Sequence, residues 1–237
     1  MTTLTLAPLD SEGPAPVAPY WHTGILIGII ALLTLAGAVF QKHGGTNPTA
    51  GHSSLIPLYL SLLAAEWGLL TFIRKGARMS GTTLTDLIGR DWNTRRGLLR
   101  DVVLGLSLWV VWEACEFTWT HVFGAGQAAS INGLLPRDPL EIILWIAVSA
   151  SAGFCEEVAF RGYCQRQFAA LTHSRWLGLL LQALLFSVGH GYEGVQACIR
   201  IALYGLLFGL LAYWRKSLRA GMIGHAVSDV VAGIFGF

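Results

Sequence analysis

The sequence predicts an all-α protein: a polytopic bundle of about seven transmembrane helices. Three observations predict it. Of the 237 residues, 54% are hydrophobic and only 13% charged, against about 25% charged in soluble domains. Mean hydropathy is +0.56. Several apolar runs reach the ~20 residues a helix needs to cross a ~30 Å hydrocarbon core, and a helix satisfies its own backbone there. The net charge of +2 and the scatter of basic residues give no nucleic-acid partner. Cys115, Cys155, Cys164 and Cys198 sit in or beside apolar runs with no CxxC or zinc spacing. They read as small core residues rather than a disulfide framework.

Residues 1–22 are expected to form a flexible tail, because Met1–Tyr20 holds four of the eight prolines and no Lys or Arg. Without a basic n-region it is not a signal peptide. Residues 23–237 form one transmembrane domain, with its motif-bearing core at 140–237. Gly24–Phe40 is the first span, and Gln41–Ser54, rich in Gly, Thr, Asn and Pro, is a loop. Leu55–Ile73 is the second span and includes Glu66 and Trp67. The connector Arg74–Arg100 is basic, and Leu84, Leu87, Ile88 and Trp92 recur at near-helical spacing, which predicts a segment lying on the membrane surface. Val102–Phe123 is the third span and carries Glu113 and Glu116, expected to meet Arg200 or backbone donors, with lining of the substrate route as the alternative. Leu140 to about Tyr163 is the fourth, Trp176–His190 the fifth, Val195–Trp214 the sixth and Leu218–Phe237 the seventh. Thirteen of the sixteen Lys and Arg then fall on one side, which places the N-terminus in the cytoplasm and the C-terminus outside.

The fourth span ends in Glu156-Glu157-Val158-Ala159-Phe160-Arg161. Charge at a helix centre costs about 2.5–3.5 kcal/mol per residue on insertion scales, so three ionisable groups in six residues point to function. Glu157 and Arg161 are one turn apart and can pair, while Glu156 points about 100° away. Later spans carry Phe186-x-x-x-His190 and His225-x-x-x-Asp229, the second again i, i+4 on one face. Glu156 and His190 meet near mid-depth if the fourth helix runs on to about Phe168 and the fifth to about Cys198, or if the Gly189-x-Gly191 pair kinks the fifth.

These three motifs, in this order, resemble those of the CAAX prenyl protease and bacteriocin-processing family of glutamic-type intramembrane proteases. The resemblance covers Leu140 to the C-terminus. It implies an endopeptidase in which Glu156 is the general base, His190 orients the water, and His225 and Asp229 stabilise the tetrahedral intermediate. Glu157, Arg161 and Phe186 are supporting residues. The last motif position is Asn or Asp in the family, and the negative charge of Asp229 weakens an oxyanion-binding role. The implied partners are membrane lipids and a peptide or protein with a membrane-embedded or lipidated segment. No cofactor is expected. Zinc on Glu156, His190 and His225 is the alternative, since a carboxylate and two imidazoles are a catalytic zinc set. A thiol nucleophile at Cys155 lacks a fixed histidine partner. Outside hydrolysis, a proton-coupled transporter or a non-catalytic immunity or assembly factor also fits intramembrane Glu, His and Asp. The short loops point to a prokaryotic inner membrane.

Overall fold

A computed structural model of the protein describes residues 14–44, 54–89, 94–124 and 132–235. Among them every regular element is helical: α1 (Tyr20–Gly44), α2 (Ile56–Met79), α3 (Leu84–Ile88), α4 (Arg95–Phe123), α5 (Pro139–Thr172), α6 (Arg175–Gly189), α7 (Val195–Arg215) and α8 (Arg219–Phe235). Each of the seven expected spans is a helix. Four (Tyr20–Val39 of α1, then α2, α5 and α7) are long and apolar enough to cross a membrane by length and composition. The other three depart from that pattern. α4 carries Arg95, Arg96, Arg100, Asp101, Glu113 and Glu116, and α6 and α8 are only 15 and 17 residues long.

Local chemistry sets the helix starts. Asp138 accepts hydrogen bonds from the Leu140 and Glu141 amides at 2.9 and 3.0 Å, with Pro139 at the first helical position, a strong N-terminal signal. Thr94 caps α4 through the Gly97 amide and Ser174 caps α6 through the Leu177 amide. α3 starts in a capping box between Thr83 and Asp86. It does not lie free on a membrane surface: Leu87 is buried, and α3 docks on the inner half of α5. Arg90 and Trp92 of the predicted surface segment fall outside the described residues.

The predicted boundaries differ most at α5, while those of α6 agree with the expected Trp176–His190 to within one residue. α5 runs 34 residues to Thr172, further than the Phe168 that convergence requires, so Glu156 sits at mid-helix and Arg161 lies in the buried interior rather than in a loop. The stretch Glu157–Cys164 is π-helical, a widening that recurs at functional sites. α6 stops at Gly189 instead of continuing to Cys198. A short 3₁₀ turn, Gly191–Glu193, and Gly194 at φ 95° then lead into α7. At 1.5 Å per residue the 15 residues of α6 cover about 22 Å, less than the ~30 Å hydrocarbon thickness.

α4, α8, α5 and α2 pack side by side in that order, while α6 and α7 pack on the far half of α5 and on each other. Small residues let α8 sink between its neighbours, as in other membrane helix pairs. A Cβ on Gly153 would stand 2.8 Å from the Met222 carbonyl, and one on Gly224 would stand 2.9 Å from the Gly105 carbonyl. The stretch before α1 is tied down from Val17 onward. The Gln167 carboxamide accepts from the Val17 and Ala18 amides at 2.8 and 3.2 Å and donates to the Ala18 carbonyl at 2.8 Å. Residues 1–13 of the expected tail lie outside the described residues.

His22, the last residue of the expected tail, is buried in α1 and stacks on Phe72 at 4.0 Å between ring centroids. Its Nε2–H donates to the Phe72 carbonyl (3.1 Å), so Nδ1 accepts from the Tyr163 hydroxyl (2.8 Å). The Thr23 hydroxyl completes the set at 3.0 Å from Tyr163 Oη. At the other face of the bundle core, Asp101 of α4 is sealed from solvent and held by Arg215 at 2.5 Å and Arg219 at 3.6 Å. Arg166 donates to the Asp86 carbonyl, and the Leu218 amide donates to the Ile88 carbonyl. α3, the α7–α8 turn and the later part of α5 thus meet at one basic end.

Candidate active site

His225 is the hub of the motif residues. Gly221, one turn earlier on α8, leaves room for the Glu157 side chain: a Cβ there would stand 2.8 Å from Glu157 Oε2. Glu157 is fully buried, and its Oε1 accepts from His225 Nδ1 at 3.1 Å and pairs with Arg161 Nη1 at 3.1 Å. The expected Glu157–Arg161 pair therefore exists, with an imidazole as a third member. A carboxylate accepts only, so Nδ1 of His225 carries the proton and Nε2 faces the other way. There it lies 3.7 Å from Glu156 Oε2 and 3.6 Å from Asp229 Oδ2. The Trp145 indole N–H holds the Asp229 backbone carbonyl at 2.8 Å, fixing this turn of α8 against α5.

Exposure divides the two adjacent glutamates. The Glu157 side chain is 0% exposed, whereas those of Glu156 and Asp229 are 24% and 36% exposed. One side of His225 is sealed and the other opens onto accessible carboxylates.

Aromatic rings build the sealed side. Phe186, buried on α6, takes the Arg161 guanidinium over its face at 4.4 Å, and Phe208 and Tyr204 of α7 lie 5.5 and 6.0 Å from the same carbon. Such cation–π contacts stabilise a desolvated guanidinium by about 2 kcal/mol or more. Phe186 meets both imidazoles edge-on, His190 at 4.8 Å and His225 at 6.1 Å. It is the spacer between the two histidines. His190 donates Nδ1–H to the Phe186 carbonyl at 2.9 Å, since a carbonyl only accepts, and so keeps Nε2 as a lone-pair acceptor.

Glu156, Glu157, Arg161, Phe186, His190, His225 and Asp229 thus belong to one site drawn from α5, α6 and α8. Among the described residues no three His, Cys, Asp or Glu side chains are grouped so as to hold a metal ion. Glu116 meets Arg200 at 2.5 Å as expected, while Glu113 accepts from the Trp109 indole at 3.0 Å. Cys155 is buried and lies 3.9 Å from the Ser151 hydroxyl.

Sequence reasoning passed over two contributors. Glu66 of α2 lies within electrostatic range of Glu156, His225 and Asp229, and one of its oxygens is buried without a hydrogen-bond partner. The available signal was an acidic residue alone in an apolar run. Tyr204 of α7 meets His225 edge-on at 5.4 Å; a tyrosine among apolar residues gives no such signal.

No curated protein and no solved structure matches the chain. The family model for type II CAAX prenyl endopeptidases, Rce1-like, matches residues 138–231. That segment opens at the Asp138 cap of α5 and closes two residues after Asp229, so it holds every motif residue of the site. The match supports membership of the CAAX prenyl endopeptidase family for the segment 138–231, which carries Glu156, His190 and His225.

Proposed function

We propose that the protein is an intramembrane endopeptidase that hydrolyses a peptide bond with a water activated by Glu156. The observation that carries this reading is the division between the two glutamates. Glu156 is accessible and faces His225 Nε2 at 3.7 Å, whereas Glu157 is sealed and spent on Arg161 and His225. A general base must reach the water it deprotonates, and only Glu156 of the pair can.

His190 Nε2 accepts one O–H of the water and orients it. Glu156 takes the other proton as the water oxygen bonds to the scissile carbonyl carbon, and the C=O π pair moves onto oxygen. His225, protonated on both nitrogens, donates from Nε2 to that oxyanion, and its imidazolium charge is offset by the Glu157 carboxylate behind it. The C–N bond then breaks, its electron pair staying on nitrogen. Nitrogen takes the proton from Glu156, leaving an amine and a carboxylic acid. Arg161, in its aromatic cage, keeps Glu157 in place.

The family's description names a prenylated CAAX tail as substrate class. A site below the headgroups suits that class, because the lipid anchor holds the peptide at the membrane. The cytoplasm-side N-terminus follows from the basic end of the bundle, where Arg166, Arg215 and Arg219 gather, since cytoplasmic ends carry the Lys and Arg excess. A prokaryotic inner membrane is the compartment that suits the short loops.

The test is purified wild type against Glu156→Gln on tagged membrane peptides, prenylated and unprenylated, with and without a strong chelator. Cleavage by wild type alone, unaffected by chelation, is expected. Cleavage retained in Glu156→Gln removes the glutamate mechanism, and loss on chelation brings back a metal.

A further inference from the structure

Resting on the protease reading, we infer that Tyr204 is a catalytic residue, its hydroxyl donating a hydrogen bond to the oxyanion, with the Ser228 hydroxyl as its neighbour in that role. Hydrolysis of an amide needs donors where negative charge develops. His225 Nε2 supplies one. Asp229 supplies none as a carboxylate, which only accepts, and its charge repels an oxyanion beside it.

Two other groups have a proton to give. Tyr204 is 6% exposed and Ser228 7% exposed. Tyr204 Oη lies next to Ser228 Oγ and within electrostatic range of Asp229 and Glu157. The two hydroxyls have only each other as partners among the described residues, which leaves one proton between them without an acceptor. A buried hydroxyl left unpaired costs about 1–3 kcal/mol, and native structures keep few such groups. The other two fully buried tyrosines are satisfied: Tyr59 donates to the Leu134 carbonyl at 2.7 Å, and Tyr163 is shared between His22 and Thr23.

Position supplies the second argument. Ser228 is i+3 from His225, so the two share a face of α8. The Tyr204 ring stacks on Phe208 at 3.9 Å and meets the His225 ring at 5.4 Å. The phenol is thereby locked to the imidazole that faces Glu156. O–H groups already held in place by packing are worth more to a developing oxyanion than donors that must first be reoriented.

Tyr204→Phe removes the donor and keeps the ring packed on Phe208 and His225, so the folded protein survives. In peptide-cleavage assays kcat should fall about 10²-fold with KM nearly unchanged, and Ser228→Ala should cost less. Asp229→Asn placed in the Tyr204→Phe background offers a carboxamide N–H at the same site and should restore about tenfold of the loss. Tyr204→Phe cleaving like wild type, or Asp229→Asn adding nothing to it, overturns the inference while leaving the protease reading intact. Wild type that cleaves no membrane peptide overturns both.

Discussion

α8 carries one member of each of two buried ion clusters, and only one of them leaves a face open to accessible groups. In the first, Asp101 is held between Arg215 and Arg219; in the second, Glu157 is held between Arg161 and His225. Both acids have 0% side-chain exposure, and both are paired with two cation-bearing groups, as buried charge requires. The difference lies in the second partner. A guanidinium is permanently charged and only donates. An imidazole has a second nitrogen, and that of His225 looks out at Glu156 and Asp229. Burial and pairing alone make a strut; the same pairing with one face left open makes a site.

Substitutions can break this contrast. The largest effect on activity is expected for Glu156→Gln, where loss of a general base lowers kcat by about 10²–10⁴-fold. Its side chain is partly exposed, so the protein should still insert and its thermal midpoint should barely move. Glu157→Ala should fail in both respects. It leaves Arg161 buried without its carboxylate, about 3–5 kcal/mol destabilising, and frees His225 Nδ1, so the folded fraction recovered in detergent should be small and inactive.

Asp101→Ala is the matched control. It should cost a similar 3–5 kcal/mol, yet the surviving folded protein should cleave within about twofold of wild type. If it does not, the two clusters are coupled through α8. Gly221→Ala tests the sealed side more gently. Its Cβ would press on Glu157 Oε2, an overpacking expected to cost about 1–3 kcal/mol, and activity should fall more than stability. The smallest effect is expected at Glu116→Gln. Its pair with Arg200 is partly exposed, 24% and 21%, so denaturant midpoints should register about 1 kcal/mol or less.

Much of the site was legible because its parts repeat at helical spacing within an apolar background. Glu157 with Arg161, Phe186 with His190, and His225 with Asp229 are each one turn apart. Ionisable residues in an apolar run stand out on cost alone. What escaped depends on residues distant in the chain. No local pattern tells that Phe186 keeps the two imidazoles apart, or that Tyr204 brings a phenol against His225. The run to Thr172 was hidden because Arg161 and Arg166 look like a loop until their partners, Glu157 and the Asp86 carbonyl, are known. The spans themselves were plain; the depth of each residue within them was not.

The tie between His22 and Tyr163 joins residues 141 apart in the chain. During synthesis, at ~5–20 residues per second, the opening helix therefore waits roughly seven to thirty seconds before its polar anchor emerges. Throughout that wait the His22 imidazole has no protein hydroxyl to bind, so water, headgroups or the insertion machinery must serve as its interim partner.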